Sequence, residues 1–178
     1  MIPVALYGVD AAMCERFYEA LPQLVNDAYE DEAYIESLYA IEKEHSIDHV
    51  RIADIWSQRA PFAWPEDVVN EVEMVLRTTN YPDVALLEHL MTLDDVDAQR
   101  ISEWMHFSTN RFPIYSQKAC ETLCRMGLET PYRPMDIASY GLYVSRIEGL
   151  KLHAPAAGLP EIGLPRTRML QLGLERFE

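Results

Sequence analysis

Two pairs of residues in this chain have the spacing at which a carboxylate and an imidazole share one face of a helix: Glu42 with His45, and Glu103 with His106. Residues three apart on a helix are neighbours, so each pair can offer an oxygen and a nitrogen ligand to one point. On a helical wheel Ile35, Leu38, Glu42, His45, His49, Ile52 and Trp56 fall in one arc, because successive residues turn by about 100°. That stripe is apolar at both ends and polar in its middle. Polar groups that face a core need partners, and a metal ion is one way to supply them.

Glu-x-x-His on two helices, with a lone glutamate on each of two others, matches the ligand spacing of ferritin-like di-iron bundles. Glu15 or Glu19 and Glu71 or Glu73 can supply the lone glutamates in the required chain order. The alternative reading is therefore a helical-bundle metalloprotein with iron held by Glu42, His45, Glu103 and His106. Pro22 and Pro82 weigh against it, since they interrupt helices that would have to run the length of a bundle. Ser102 and Thr109 flank His106 and mark that side of its helix as solvent-facing. The simpler expectation is no cofactor, with His45 and His49 lining an exposed or half-buried seam.

Other chemistries find less support. Glu44, His45, Asp48 and His49 have the spacing of a mononuclear site, but also that of a solvated helix surface. Cys120 and Cys124 lie one helical turn apart with no second pair to complete a zinc knuckle, so buried thiols are expected. Ser108 has neither an acid partner nor nucleophile-elbow glycines around it. The early glycines are isolated, which leaves no phosphate-cradling loop. No catalytic set emerges, and the reading leans to a protein that is not an enzyme.

The elements that would position these residues are helical. Asp10 can cap a helix with an apolar face at Met13, Phe17, Ala20, Leu21 and Leu24, kinked or restarted at Pro22. Asn26 to Gln58 has no Pro or Gly and reads as one long amphipathic helix, with a break near Ser46 as the variant. Pro65 opens a helix with Val68, Val69, Val72, Val75 and Leu76 inward, and Val84 to Leu93 forms a short apolar one. Asp94 or Asp95 should cap a helix running towards Asn110, and Pro113 should open another that ends at Gly127. Residues 2–9 suit a strand or a tucked-in segment, and 135–147 fit helix or strand equally. Gly-Leu-Pro at 158–160 recurs at 163–165, which predicts an extended arm. Thr167 to Phe177 closes the chain as a helix weakened by Gly173. The fold expected is mainly α: a single domain over 1–178, either a helical bundle or a short helical array. Residues 1–127 form its acidic core, and 128–178 an irregular, partly extended, loop-rich third with a candidate arm.

Charge gives the leading functional reading. The net charge is −14, made up of −8 over residues 1–60, −6 over 61–127 and zero over 128–178. Such a surface repels phosphate backbones, so no direct nucleic-acid binding is expected. It attracts a basic protein partner and speeds its association. Asp27, Glu30, Asp31, Glu32 and Glu36 lie in one run with no intervening base, and Tyr34 and Tyr39 stand among them. Aromatic anchors in an acidic field suit a partner-binding surface. In composition this resembles acidic immunity-type and phage counter-defence-type inhibitors, some of which mimic nucleic-acid charge. An odd count of three cysteines, no signal-peptide pattern and no membrane-length apolar run predict a soluble cytoplasmic protein without membrane contact.

Overall fold

A computed structural model describes residues 2–26, 32–43, 49–60, 64–78, 84–155 and 158–178, apart from the side chains at 42, 43, 77 and 78. The described residues are mainly helical and contain no strand. A short 3-10 turn at Val4–Leu6 precedes α1 (Ala11–Asn26), α2 (Glu32–Lys43), α3 (His49–Trp56), α4 (Glu66–Thr78) and α5 (Val84–Leu90). Then come α6 (Ala98–Thr109), α7 (Gln117–Arg125), α8 (Ile137–His153) and α9 (Arg166–Arg176).

The apolar periodicities locate the buried faces. In α1 Phe17, Leu21 and Val25 are buried, and the helix continues through Pro22 without ending. In α4 Val69, Val72 and Leu76 face inward. The Asn26–Gln58 stretch is two elements, α2 and α3, and the residues between them lie outside the described ones.

Three boundaries differ from expectation for identifiable reasons. Asp97, not Asp94 or Asp95, caps α6: its Oδ1 accepts from the Arg100 amide at 2.7 Å. Pro113 does not open α7, which starts after Ser116. Residues 112–115 are all buried, and four consecutive buried residues suit an extended segment between elements better than one helix face. The Tyr115 amide there donates to Ser102 Oγ at 2.7 Å. The ambiguous 135–147 stretch is helix from Ile137 onward, capped by Asp136, and α8 extends beyond it to His153. Two helices thus occupy much of the C-terminal third; residues 128–136 ahead of them are not helical, and between them Leu159, Ile162 and Leu164 pack on the core.

Two helices form the centre. Residues 98–107 of α6 are buried on every side except at Gln99, with α3, α4, α5 and α8 around them. Residues 167–174 of α9 are likewise buried, against α1, α7 and α8. Gly173 explains how α1 comes so near: a Cβ there would sit 2.3 Å from Leu21 Cδ1 and 3.3 Å from the Phe17 ring. Glycine permits the crossing that a larger residue would prop open. A helix buried all round must bring its polar side chains inside with it, and that requirement produces the site described next.

Candidate functional site

Arg100 is 3 % exposed and is the hub of a polar network in the core. Its Nε and Nη2 donate to Asp54 Oδ1 and Oδ2 of α3 at 3.0 and 2.8 Å, a two-pronged ion pair. The same guanidinium donates to the Ala60 carbonyl at 3.0 Å and the Asp95 carbonyl at 3.1 Å. Trp104 Nε1 adds a bond to Asp54 Oδ1 at 2.9 Å. Removing one partner from a pair buried this deeply costs about 3–5 kcal/mol, because the other charge is left uncompensated.

One turn along α6, Glu103 is 2 % exposed and accepts from Arg59 Nε and Gln99 Nε2, both at 3.1 Å. Tyr132 extends the chain by donating to Gln99 Oε1 at 2.6 Å. Burial raises the Glu103 carboxyl pKa, and Arg59 and Gln99 pull it back down.

His106 is fully buried. The Phe112 carbonyl, 2.7 Å from Nδ1, can only accept, so Nδ1 carries the proton. Nε2 then accepts from the Tyr34 hydroxyl at 2.7 Å. Burial holds the imidazole pKa down to about 3; the Phe112 carbonyl opposes this, and the nearby Arg168 charge reinforces it. Arg168 itself lies over the rings of Tyr34 and Trp56, 4.8 and 5.2 Å from their centroids.

These placements revise the sequence expectations. The His106 side of α6 is interior, not solvent-facing, with Ser102 and His106 at 0 % exposure. His49 is also buried rather than part of an open seam. Tyr34, expected among the partner-binding residues, is 1 % exposed and is a core residue. Tyr39 is 56 % exposed, and Glu32 and Glu36 are exposed beside it. Asp27, Glu30 and Asp31 lie outside the described residues.

Of the metal set, His45 and the Glu42 side chain also lie outside the described residues. The other half is turned to protein groups: Glu103 faces Arg59 and Gln99, and both ring nitrogens of His106 are taken. A metal ion would have to displace Tyr34 to reach Nε2. Among the described residues no group of three or more His, Cys, Asp or Glu could hold a metal. Of the lone glutamates, Glu15 and Glu19 are exposed, while Glu73 is buried and accepts from the Val50 amide at 2.9 Å, tying α4 to the start of α3. Cys120 is a buried thiol as expected, but Cys124, expected to be buried with it, is exposed; Cys14 is buried too.

The network borders a surface cleft of about 1110 Å³. Trp64, Met91 and Leu93 give it apolar walls, Met135 stands at its edge, and Asp94, Asp95 and Asp97 contribute its carboxylates. Arg100 links the two stretches of chain that flank it, through Ala60 and Asp95. Asp95 has φ +60°, a left-handed conformation that Asp tolerates better than most residues.

Sequence reasoning missed Asp54, Arg59 and Arg100. Their signal was faint: each is a lone charge within an otherwise apolar helical stripe or beside one. Partners 46 and 44 positions apart cannot be matched by local spacing. In comparisons with known proteins, the chain matches no family model, no curated protein and no solved structure.

Proposed function

We propose that this chain is a non-enzymatic binding protein that engages a basic protein partner through the acidic surface of its first two-thirds. An inhibitor of the immunity or phage counter-defence type, mimicking nucleic-acid charge, is the form of that activity the composition suits. One observation carries the reading: the division of charge between inside and outside. Arg100 is buried against Asp54, and half-buried Arg59 is held by Glu103, so each of these bases is matched by an acid inside and the excess acid remains on the surface. Glu32, Glu36, Glu66, Asp67, Glu71 and Glu88 are all exposed. Buried Asp54 and Glu73 face donors from neighbouring helices, and Glu103 faces Arg59 from the segment after α3, which suits holding the fold together. Charge of one sign left outside raises the association rate with a partner of the other sign, and rim charges act mainly at that step. No helix among the described residues is long and apolar enough to cross a membrane.

The test is a partner retained on the immobilised chain and then measured quantitatively. Glu32→Lys with Glu36→Lys should weaken its binding by on the order of 1–3 kcal/mol and leave folding almost unchanged. Raising the salt concentration should weaken the unmodified complex. A partner that is not basic, or an affinity indifferent to both salt and the double reversal, would overturn the proposal.

A further inference from the structure

The cleft beside Arg100 combines apolar walls with exposed carboxylates. Its walls are apolar and adaptable: Trp64, Met91 and Leu93 line it together with Met135, which is 72 % exposed. Methionine reshapes readily around different apolar groups, which suits a surface that receives side chains. Trp64 is the rigid part, its ring set edge-on to buried Trp104 with centroids 5.6 Å apart.

The electrostatics of the cleft are one-sided. Arg59 and Arg100 both border it, yet Arg59 pairs with Glu103 and Asp97, and Arg100 with Asp54. Asp94 and Asp95 are exposed and have no ion pair among the described residues. The field at the opening is therefore negative. The bond from Arg100 to the Asp95 carbonyl and the capping of α6 by Asp97 hold the acidic stretch in place.

We infer that this cleft docks a basic segment of the partner protein, seating one large apolar side chain against Trp64, Met91 and Met135 while lysines or arginines beside it meet Asp94 and Asp95. The inference rests on the proposed function and names where on the acidic surface the partner is read. A second copy of the chain is a poor occupant, since each copy carries −14 and would bring the same acids against each other.

The probes are two labelled nonapeptides of lysine and arginine with equal charge, one with a central Trp-Leu pair and one with Gly-Ser there. The Trp-Leu peptide should bind about tenfold more tightly than its Gly-Ser counterpart, since a seated aromatic anchor adds to charge. Asp94→Lys with Asp95→Lys should weaken it by about tenfold or more, because opposite charges at the opening become like ones. In methyl NMR of the unmodified protein, the Met91 and Met135 signals should move on peptide addition while Met13 and Met169 stay. Equal binding of the two peptides, or unmoved Met91 and Met135 signals, would overturn the inference. Binding lost in the Glu32→Lys, Glu36→Lys protein but kept in the Asp94→Lys, Asp95→Lys protein would overturn the cleft and leave the acidic-surface reading standing. Absence of peptide binding overturns the cleft, while that reading is decided separately by the salt response of the captured partner. A solution mass that doubles with concentration, with shifts at the same methyls, would assign the cleft to a second copy and overturn the inference.

Discussion

At the scale of single residues, His106 shows how burial and hydrogen bonding fix a protonation state. The folded chain keeps it neutral down to about pH 3, whereas an unfolded histidine takes up a proton near pH 6.5. Between those values the unfolded chain binds the extra proton, so stability falls as the pH falls through that window. Glu103 acts in the other direction. Its raised carboxyl pKa lets the folded chain keep a proton that the unfolded chain has released, a contribution present on the acid side and lost as pH rises through the folded value. Comparing the parent protein with His106→Gln cancels the Glu103 contribution. Denaturant unfolding at pH 7 and 5.5 should show the parent losing about 1 kcal/mol more than the variant. The ring-proton signals of His106 should not titrate between pH 8 and 4.5. An ordinary titration near pH 6.5 would contradict the assigned hydrogen bonds.

At the scale of elements, glycine has opposite meanings in two helices. Gly173 sits where α1 meets α9, and a side chain there collides with Leu21 and Phe17. Gly173→Val should cost about 1–3 kcal/mol through overpacking, read as a lower denaturant midpoint. Gly141 of α8 has nothing within 4 Å of where a Cβ would lie. Gly141→Ala should stabilise by roughly 0.5–1 kcal/mol, because only helix propensity changes. The sequence alone treats Gly173 simply as a weak point, since the crossing helix lies some 150 residues away. The same distinction decides what else could be read. Apolar periodicity located the inward faces of α1 and α4, because that signal is local. The extended Phe112–Tyr115 segment and the burial of Tyr34 depend on neighbours farther away in sequence, whereas the Asp97 cap is a local contact and was obscured by the aspartates at 94 and 95. Tyr34 looked like a surface aromatic because acids surround it in the chain. In space it faces His106, Phe107 and Trp56.

At the scale of the whole molecule, total charge was legible from composition, but its division between core and surface was not. Arg59 and Arg100 prove to be paired with Glu103 and Asp54 in and beside the core, while Arg16, Arg51, Arg111, Lys118 and Arg125 stay exposed among the acids. The Arg100 hub has a further consequence, which lies in the order in which the molecule opens. One guanidinium bonds Asp54 of α3, the Ala60 carbonyl that follows α3 and the Asp95 carbonyl ahead of α6, so none of these stretches can separate while it stays seated. Amide hydrogens in residues 49–60 and 94–107 should therefore exchange with deuterated solvent as one cooperative unit, more slowly than those of α2. Arg100→Met should split that unit, speeding exchange at 49–60 and 94–97 first, as followed by mass spectrometry. Independent exchange of the two stretches in the parent protein would show that the hub does not couple them. If it does, a segment docked between Trp64 and Asp95 grips a part of the molecule that yields only when the centre of the fold yields.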